Sequence, residues 1–290
     1  MSYELKNKLF FNKVSIIGVG LLGASFALAL REKGLCKTII GYGRSEENLK
    51  RAKERGIIDD YSLDVRKTCE DSDLILLSTP VGAFRDIAER IKDALKQGVL
   101  ITDVGSVKGR LVHELESLMP DGVYYIGSHP IAGSDKSGID DARADLFNNA
   151  RCIITPTEKS NEPAKGKIIS TWEAVGAKVE VIDPFTHDEI YAAVSHFPHI
   201  IAYSIVNTVG DIDSKYIGYA GKGFKDTTRI ALSSPEMWRD ISIFNKENLI
   251  RMIDVFRENL DKITKCLMEN NASCIEGEFL RAQTLRKKLK

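Results

Sequence analysis

No two cysteines in this 290-residue chain are spaced C-x-x-C, no run of like charge is long, and no repeat or low-complexity stretch interrupts it. Each absence removes a class of protein. The five cysteines, Cys36, Cys69, Cys152, Cys266 and Cys274, are odd in number and scattered. They read as reduced packing thiols of a cytoplasmic protein, not as a disulfide framework or a zinc site, and no metal is expected. Forty-one basic residues offset 41 acidic ones, which leaves no footprint for a nucleic-acid backbone or an anionic membrane. A small molecule is the expected partner. Val14 to Leu30 imitates a targeting segment, being apolar or small and preceded by lysines. A strand, a turn and a helix explain its glycines; a signal peptide, which is removed, does not.

The length favours two domains. From Val14 to Ile182, short apolar runs alternate with amphipathic segments, the pattern of a mainly parallel sheet wound with helices. Strands are expected near 14–17, 38–42, 74–78, 100–102, 124–126, 152–154 and 178–181, and beyond Asp183 they stop. Thr186-His187-Asp188-Glu189 has the form of a capping box, opening one long helix to about Val209 that Pro198 should kink. Ser234-Pro235-Glu236 and Asn245-Lys246-Glu247 mark two more helix starts. The expected fold is α/β: a Rossmann-type doubly wound sheet over residues 1–183 and an all-helical domain over 184–290, with Arg281 to Lys290 a frayed basic end. Apolar stripes through Tyr203, Ile205, Ile250, Ile253, Phe256 and Leu260 predict a homodimer formed by the helices.

Gly18-Val19-Gly20-Leu21-Leu22-Gly23 lies where an apolar strand gives way to an apolar helix, the context in which this pattern binds a dinucleotide. Gly18 permits the tight turn, Gly20 lets the backbone approach a pyrophosphate, and Gly23 lets helix and strand pack closely. The helix N-terminus at Leu21 and Leu22 offers N–H groups and positive dipole to the phosphates. Ser78, Thr79 and Pro80, ending another strand, belong to the same edge. The second strand carries Gly43 where an NAD-binding chain usually has a carboxylate for the ribose hydroxyls, and Arg44 and Ser45 follow. A carboxylate repels a 2′-phosphate, whereas an arginine and a hydroxyl bind one, so the cofactor is NAD or NADP with a lean to NADP. Alternatively, Arg44 stacks on adenine and Ser45 only caps the next helix, which leaves NAD acceptable.

Two polar, glycine-bearing loops open on the same edge: Gly105-Ser106-Val107-Lys108-Gly109, and His129 to Gly138. The helical half adds Ser195-His196-Phe197-Pro198-His199, Lys222 to Arg229, and Met237-Trp238-Arg239-Asp240. Taken singly these have plain readings. His196 is a packed or capping histidine, His113 and His187 are exposed helix residues, Trp238 is core as readily as pocket, and Lys108 meets phosphate or only solvent.

In order, GVGLLG, DVGSVKG, SHPIAGSDKSG, SHFPH and GFKDTTRIA followed by MWRDI resemble the prephenate dehydrogenase family, with its arogenate and cyclohexadienyl members, over residues 12 to 270. The resemblance implies oxidative decarboxylation of prephenate or arogenate, a step toward tyrosine. By the same resemblance His129 accepts the ring-hydroxyl proton, and Ser106 orients that histidine and the substrate oxygen, beside the cofactor. Arg229 and His199 bind substrate, and Ser195, Asp226, Ser134, Asp135, Trp238 and Lys222 line the pocket; Asp226 could equally hold Arg229. The residue types suit the chemistry, since a neutral imidazole takes a proton near pH 7 and a guanidinium pairs with a carboxylate in bidentate fashion. Asp135 replaces a glutamate common in the family, so its contact is shorter by one methylene. Lys222 interrupts a stretch that is often all glycine, adding a charge that suits a side-chain carboxylate or repels an amino group. No chorismate mutase segment or regulatory domain is expected before residue 12 or after 270. A β-hydroxyacid dehydrogenase would share this plan but carry a catalytic lysine on its long helix, and none occurs from Thr186 to Gly210. A non-catalytic dinucleotide sensor would not need His129 and Arg229 to converge.

Overall fold

The computed structural model describes residues 10–132 and 138–289. Ser134 and Asp135 lie outside the described residues. Strand β1 (Phe11–Ile17) is buried on both faces over its second half, as an apolar run without alternation demands of a central parallel strand. Helix α1 (Leu21–Glu32) leads to β2 (Cys36–Tyr42), and α2 (Glu46–Glu54) to the edge strand β3 (Asp60–Ser62). Helix α3 (Val65–Cys69) precedes β4 (Leu74–Leu77), α4 (Phe84–Ile91) precedes β5 (Leu100–Asp103), and α5 (Gly109–Leu118) precedes β6 (Tyr124–Tyr125). All pairings are parallel, in the order β3-β2-β1-β4-β5-β6. The order reverses between β1 and β4, and ligands of open parallel sheets sit in the crevice beyond the strand ends at such a reversal.

The later strands do not join this sheet, as a single winding would have them do. The chain leaves β5's edge after Tyr125 and begins a second sheet, in which β7 (Gly127–Pro130) runs antiparallel to β8 (Arg151–Thr155) and β8 parallel to β9 (Lys178–Val181). Helix α6 (Glu162–Ala174), capped by Asn161 through Ala164 N–H at 3.0 Å, covers this sheet. Its Trp172 is fully buried, with ring centroids 4.9 Å from Phe26 and 5.2 Å from Phe147. The indole N–H donates to Ser128 Oγ at 3.1 Å, so the aromatic cluster also fixes the strand that carries His129.

The two sheets are joined at a buried ion pair. Lys108 is wholly enclosed rather than on phosphate or in solvent, and its Nζ lies 2.7 Å from Asp103 Oδ2. Tyr125 Oη–H donates to the same oxygen at 2.6 Å, and Ser128 N–H donates to Asp103 Oδ1 at 3.2 Å. Side chains or backbone from β5, β6 and β7 thus meet on one carboxylate.

Beyond β9 the chain is helical. Helix α7 (Pro184–Tyr191) begins two residues before the expected capping box, because Asp183 accepts from Phe185 N–H and Thr186 N–H, both at 3.0 Å. Residues Ala192–His196 form a π-helical turn, and α8 (Phe197–Asp213) follows. Pro198 sits in α8's first turn and can give no helical N–H bond, so the chain widens one turn before it. Helices α9 (Lys222–Thr228), α10 (Pro235–Phe244), α11 (Lys246–Met268) and α12 (Ala272–Arg286) complete the fold. The terminal helix therefore continues through most of the stretch expected to fray. Cys266 and Cys274 are not thiols but a disulfide across the turn between α11 and α12, their Cα atoms 5.8 Å apart; Cys36, Cys69 and Cys152 are free. Among the described residues no helix is long and apolar enough to cross a membrane.

Replacing Lys108 with methionine strands the Asp103 carboxylate in the interior and should cost about 3–5 kcal/mol. Urea denaturation of Lys108→Met measures this, and the neutral-amide double variant Lys108→Met/Asp103→Asn should lose less. A Lys108→Met loss under about 1 kcal/mol would contradict the assigned role.

Candidate active site

The crevice at the strand-order reversal is built by glycines. Gly18 has φ +105°, and a Cβ there would come within 2.6 Å of the Ser78 carbonyl, so only glycine lets the ends of β1 and β4 approach. A Cβ on Gly23 would meet the Gly18 carbonyl and Ser78 Oγ. Ser78 Oγ–H donates to Gly18 O at 2.8 Å, which places Ser78 as a brace of the turn. Gly20 differs: a Cβ there would meet nothing within 4 Å, and as N-cap of α1 it gives no side-chain bond to the first-turn N–H groups. Open space before uncapped N–H groups at Leu21 and Leu22 is what a dinucleotide pyrophosphate requires, and the residues present fit that group. Thr79 Oγ1, on the same edge before Pro80, is buried without a protein partner.

At the end of β2, Ser45 caps α2, accepting from Asn48 N–H at 3.2 Å. Arg44 is exposed, its guanidinium 3.9 Å from Glu236 at the start of α10.

His129 is almost wholly buried on β7, and its ring stands between the two halves of the chain. His187 and Tyr191 of α7 pack edge-on against it, with centroids 5.1 and 4.9 Å away. His129 Nδ1 is 2.9 Å from His187 Nε2, and His187 Nδ1 is 2.8 Å from Asp188 Oδ1. Asp188 Oδ1 also accepts from Lys108 N–H at 2.7 Å. Asn245 Nδ2–H donates to Asp188 O at 2.8 Å and lies 3.0 Å from His196 Nδ1, while its Oδ1 accepts from Asn248 Nδ2–H at 2.8 Å and gives α11 no side-chain cap. Ser106 is half-buried on the loop after β5, and among the described residues the ring hydrogen bond of His129 joins its Nδ1 to His187.

The reading of His187 as an exposed helix residue is therefore corrected: it is fully buried. With the helix started at Pro184 by the Asp183 cap, Pro184, His187, Asp188 and Tyr191 fall on one buried face at i, i+3, i+4 and i+7. Placing the cap at Thr186 hid that face. Asp183-Pro184 was the available signal, an N-cap residue followed by proline. His196 is buried, as a packed histidine should be, whereas His113 is exposed.

On the helical side, His199 Nδ1–H donates to Ser195 O at 2.9 Å, and the ring stacks on Trp238 with centroids 3.5 Å apart and planes at 20°. Among the described residues no hydrogen bond reaches His199 Nε2. Arg229 is near enough to lower the His199 pKa. Lys222, Asp226 and Arg229 lie along α9 and the turn after it, all exposed. Among the described residues no group of three or more His, Cys, Asp or Glu side chains is arranged to hold a metal ion.

Residues 26–181 match the family described as "Prephenate dehydrogenase, nucleotide-binding domain", and residues 183–281 match "Prephenate dehydrogenase, dimerization domain". The cyclohexadienyl dehydrogenase of Zymomonas mobilis is 32% identical, with 97% of each chain covered. The prephenate dehydrogenase of Bacillus subtilis is 33% identical over 94% of this chain and 75% of its own. The crystal structure of prephenate dehydrogenase from Aquifex aeolicus, in complex with hydroxyphenyl propionate and NAD+, superposes with a TM-score of 0.89 at 35% identity, covering 96% of this chain and 98% of that one.

Burial is the largest of the causes that hold four histidines below the ordinary imidazole value of 6.5: His129 well below it, His196 down to about 3, and His187 and His199 lowered as well. Below 6.5 the unfolded chain binds protons that the folded chain refuses, so stability is complete above that pH and falls as pH drops toward the folded values. Each group contributes up to about 1.4 kcal/mol per pH unit in that window. The melting temperature should therefore fall on acidification from about pH 7.5 to about pH 5. A flat or rising melting temperature over that range would contradict the burial of these rings.

Proposed function

The chain belongs to the prephenate dehydrogenase family, and we propose that it oxidises and decarboxylates prephenate or arogenate with a nicotinamide dinucleotide. The observation that carries this reading is the seat of His129. It is the one imidazole that the α/β half holds at the carboxyl edge of its strands, with α7 of the helical half closing on its ring.

A bound nicotinamide dinucleotide supplies the hydride acceptor. Gly18, Gly20, Leu21, Leu22 and Gly23 hold its pyrophosphate, with Ser78, Thr79, Pro80 and Ser106 along the same edge. His129, kept neutral by burial, takes the ring-hydroxyl proton as the carbonyl forms. The electron pair of the bond to the departing carboxylate then enters the ring, and the proton returns to the oxygen of the aromatic product. Arg229 pairs with a substrate carboxylate, and His199 presents Nε2 to the substrate from its stack on Trp238. Ser195, Asp226, Lys222, Ser134 and Asp135 complete the lining. The division of labour falls at residues 183/184, with the helical part joining two copies; its exposed Ile250, Leu260, Phe279 and Leu285 support such an interface.

Between the dinucleotides, the end of β2 supports NADP. No carboxylate stands at Gly43, and the exposed Arg44 guanidinium makes a loose contact with Glu236. A lost charge-assisted bond of about 1.5–3 kcal/mol would lower NADP affinity about 10-fold or more in Arg44→Ala, with NAD affinity little changed. Equal effects on both would make NAD the natural partner.

Steady-state rates with prephenate and with arogenate, each with NAD and NADP, test the reading. Reduced cofactor should form with at least one pair, and His129→Asn should lower kcat by about 10²–10⁴ while dinucleotide binding persists. Dinucleotide binding without turnover of either substrate would overturn it.

A further inference from the structure

Asp188 and His187 do not touch the cleft's open face, yet they lie in line behind His129, and the bonds among them allow one arrangement of protons. Asp188 Oδ1 can only accept, so His187 donates its Nδ1–H to it across 2.8 Å. With that proton placed, the neutral His187 ring has a bare Nε2, which accepts the Nδ1–H of His129 across 2.9 Å. His129 is left with a lone pair on Nε2. We propose that His187 and Asp188 are positioning residues that lock His129 in its Nδ1–H tautomer, with Nε2 as the proton acceptor, and share the positive charge when that proton arrives.

Neighbouring groups make such support necessary. Lys108, His196 and His187 all disfavour a cation on His129, and burial disfavours it more. Lys108 is already held by Asp103. When His129 Nε2 binds the hydroxyl proton, the Nδ1–H lies on a bond whose far side is a second imidazole backed by a carboxylate. Charge can then spread from His129 through His187 toward Asp188 without any proton leaving the site, and the proton on Nε2 returns to the product oxygen. The carboxylate itself is held by Lys108 N–H and, through its own backbone carbonyl, by Asn245. Lys108 N–H shares Oδ1 with His187 while Asn245 takes only the backbone carbonyl, and both bonds fix the orientation of Asp188.

The inference rests on His129 being the proton acceptor of the proposed reaction, but the tautomer can be read with no substrate present. The chain has five histidines, few enough for long-range proton–nitrogen NMR of histidine-labelled protein, with His129 identified by the signal missing from His129→Asn. The wild type should show His129 protonated on Nδ1. In Asp188→Leu the His187 Nδ1–H loses its acceptor, so His187 carries its proton on Nε2, donates it to His129 Nδ1 and leaves the His129 proton on Nε2. The wrong tautomer costs a serine-protease histidine about 10⁴ in turnover, and here kcat should fall at least about 100-fold, with KM and dinucleotide affinity within about threefold. His187→Gln, whose amide oxygen can accept the Nδ1–H, should keep more turnover than His187→Leu at equal thermal stability; this pair serves also if Asp188→Leu does not fold. A wild-type His129 protonated on Nε2, an unmoved tautomer in Asp188→Leu, or equal turnover in the two His187 variants would overturn the proposal. Failure of the wild type to turn over either substrate would instead remove the proposed reaction while leaving the tautomer result standing.

Discussion

Lys108 is held twice, and the site depends on both attachments. Its ammonium is buried on Asp103 at the end of β5, while its backbone N–H donates to Asp188 on α7. One residue thus links the parallel sheet to the first helix of the other half. A buried ion pair is a poor source of stability against an apolar equivalent, because desolvation offsets much of the attraction. Its value lies in direction. Asp103 also collects Tyr125 and the Ser128 N–H, so the strand that bears His129 can leave the main sheet only in the orientation that this carboxylate accepts.

From that joint the chemistry follows as a consequence of enclosure. His129, His187 and His196 are nearly or wholly buried, where charge is costly and hydrogen bonds are strong. Burial alone would make His129 a poor base. An ordered partner behind it changes the balance, since the cation need not sit on one isolated ring. The π-helical turn Ala192–His196 belongs to the same design: it rotates the chain between α7, whose buried face supports His129, and α8, which stacks His199 on Trp238. A regular helix with only a proline kink would not separate those two faces in this way.

Much of the first half could be read in advance because its signals are local. A glycine turn between an apolar strand and an apolar helix has one common use, and the structure gives Gly18 the positive φ, and Gly23 the close packing, that the pattern calls for. The second sheet was not legible, because the apolar run ends at Ile126, Gly127 to Pro130 carries no strand pattern, and the switch from β6 to β7 depends on side chains, Thr102 and Ser128, that bond across it. Lys108 looked like a surface residue because its partner lies in the preceding strand. His187 was misplaced by one choice, the capping residue, which shifted the inward face of α7. The disulfide joins cysteines eight apart across a turn whose sharpness spacing alone does not reveal.

The central claim is that this cleft couples hydride removal to loss of a carboxylate, which a β-hydroxyacid dehydrogenase of like plan does not need to do. The most direct measurement is the stoichiometry of a single addition of prephenate or arogenate to enzyme with excess oxidised dinucleotide, following carbon dioxide and reduced cofactor together. One carbon dioxide released for each cofactor reduced, with an aromatic product, is the result expected of the geometry around His129 and Arg229. Reduced cofactor formed without carbon dioxide would contradict it.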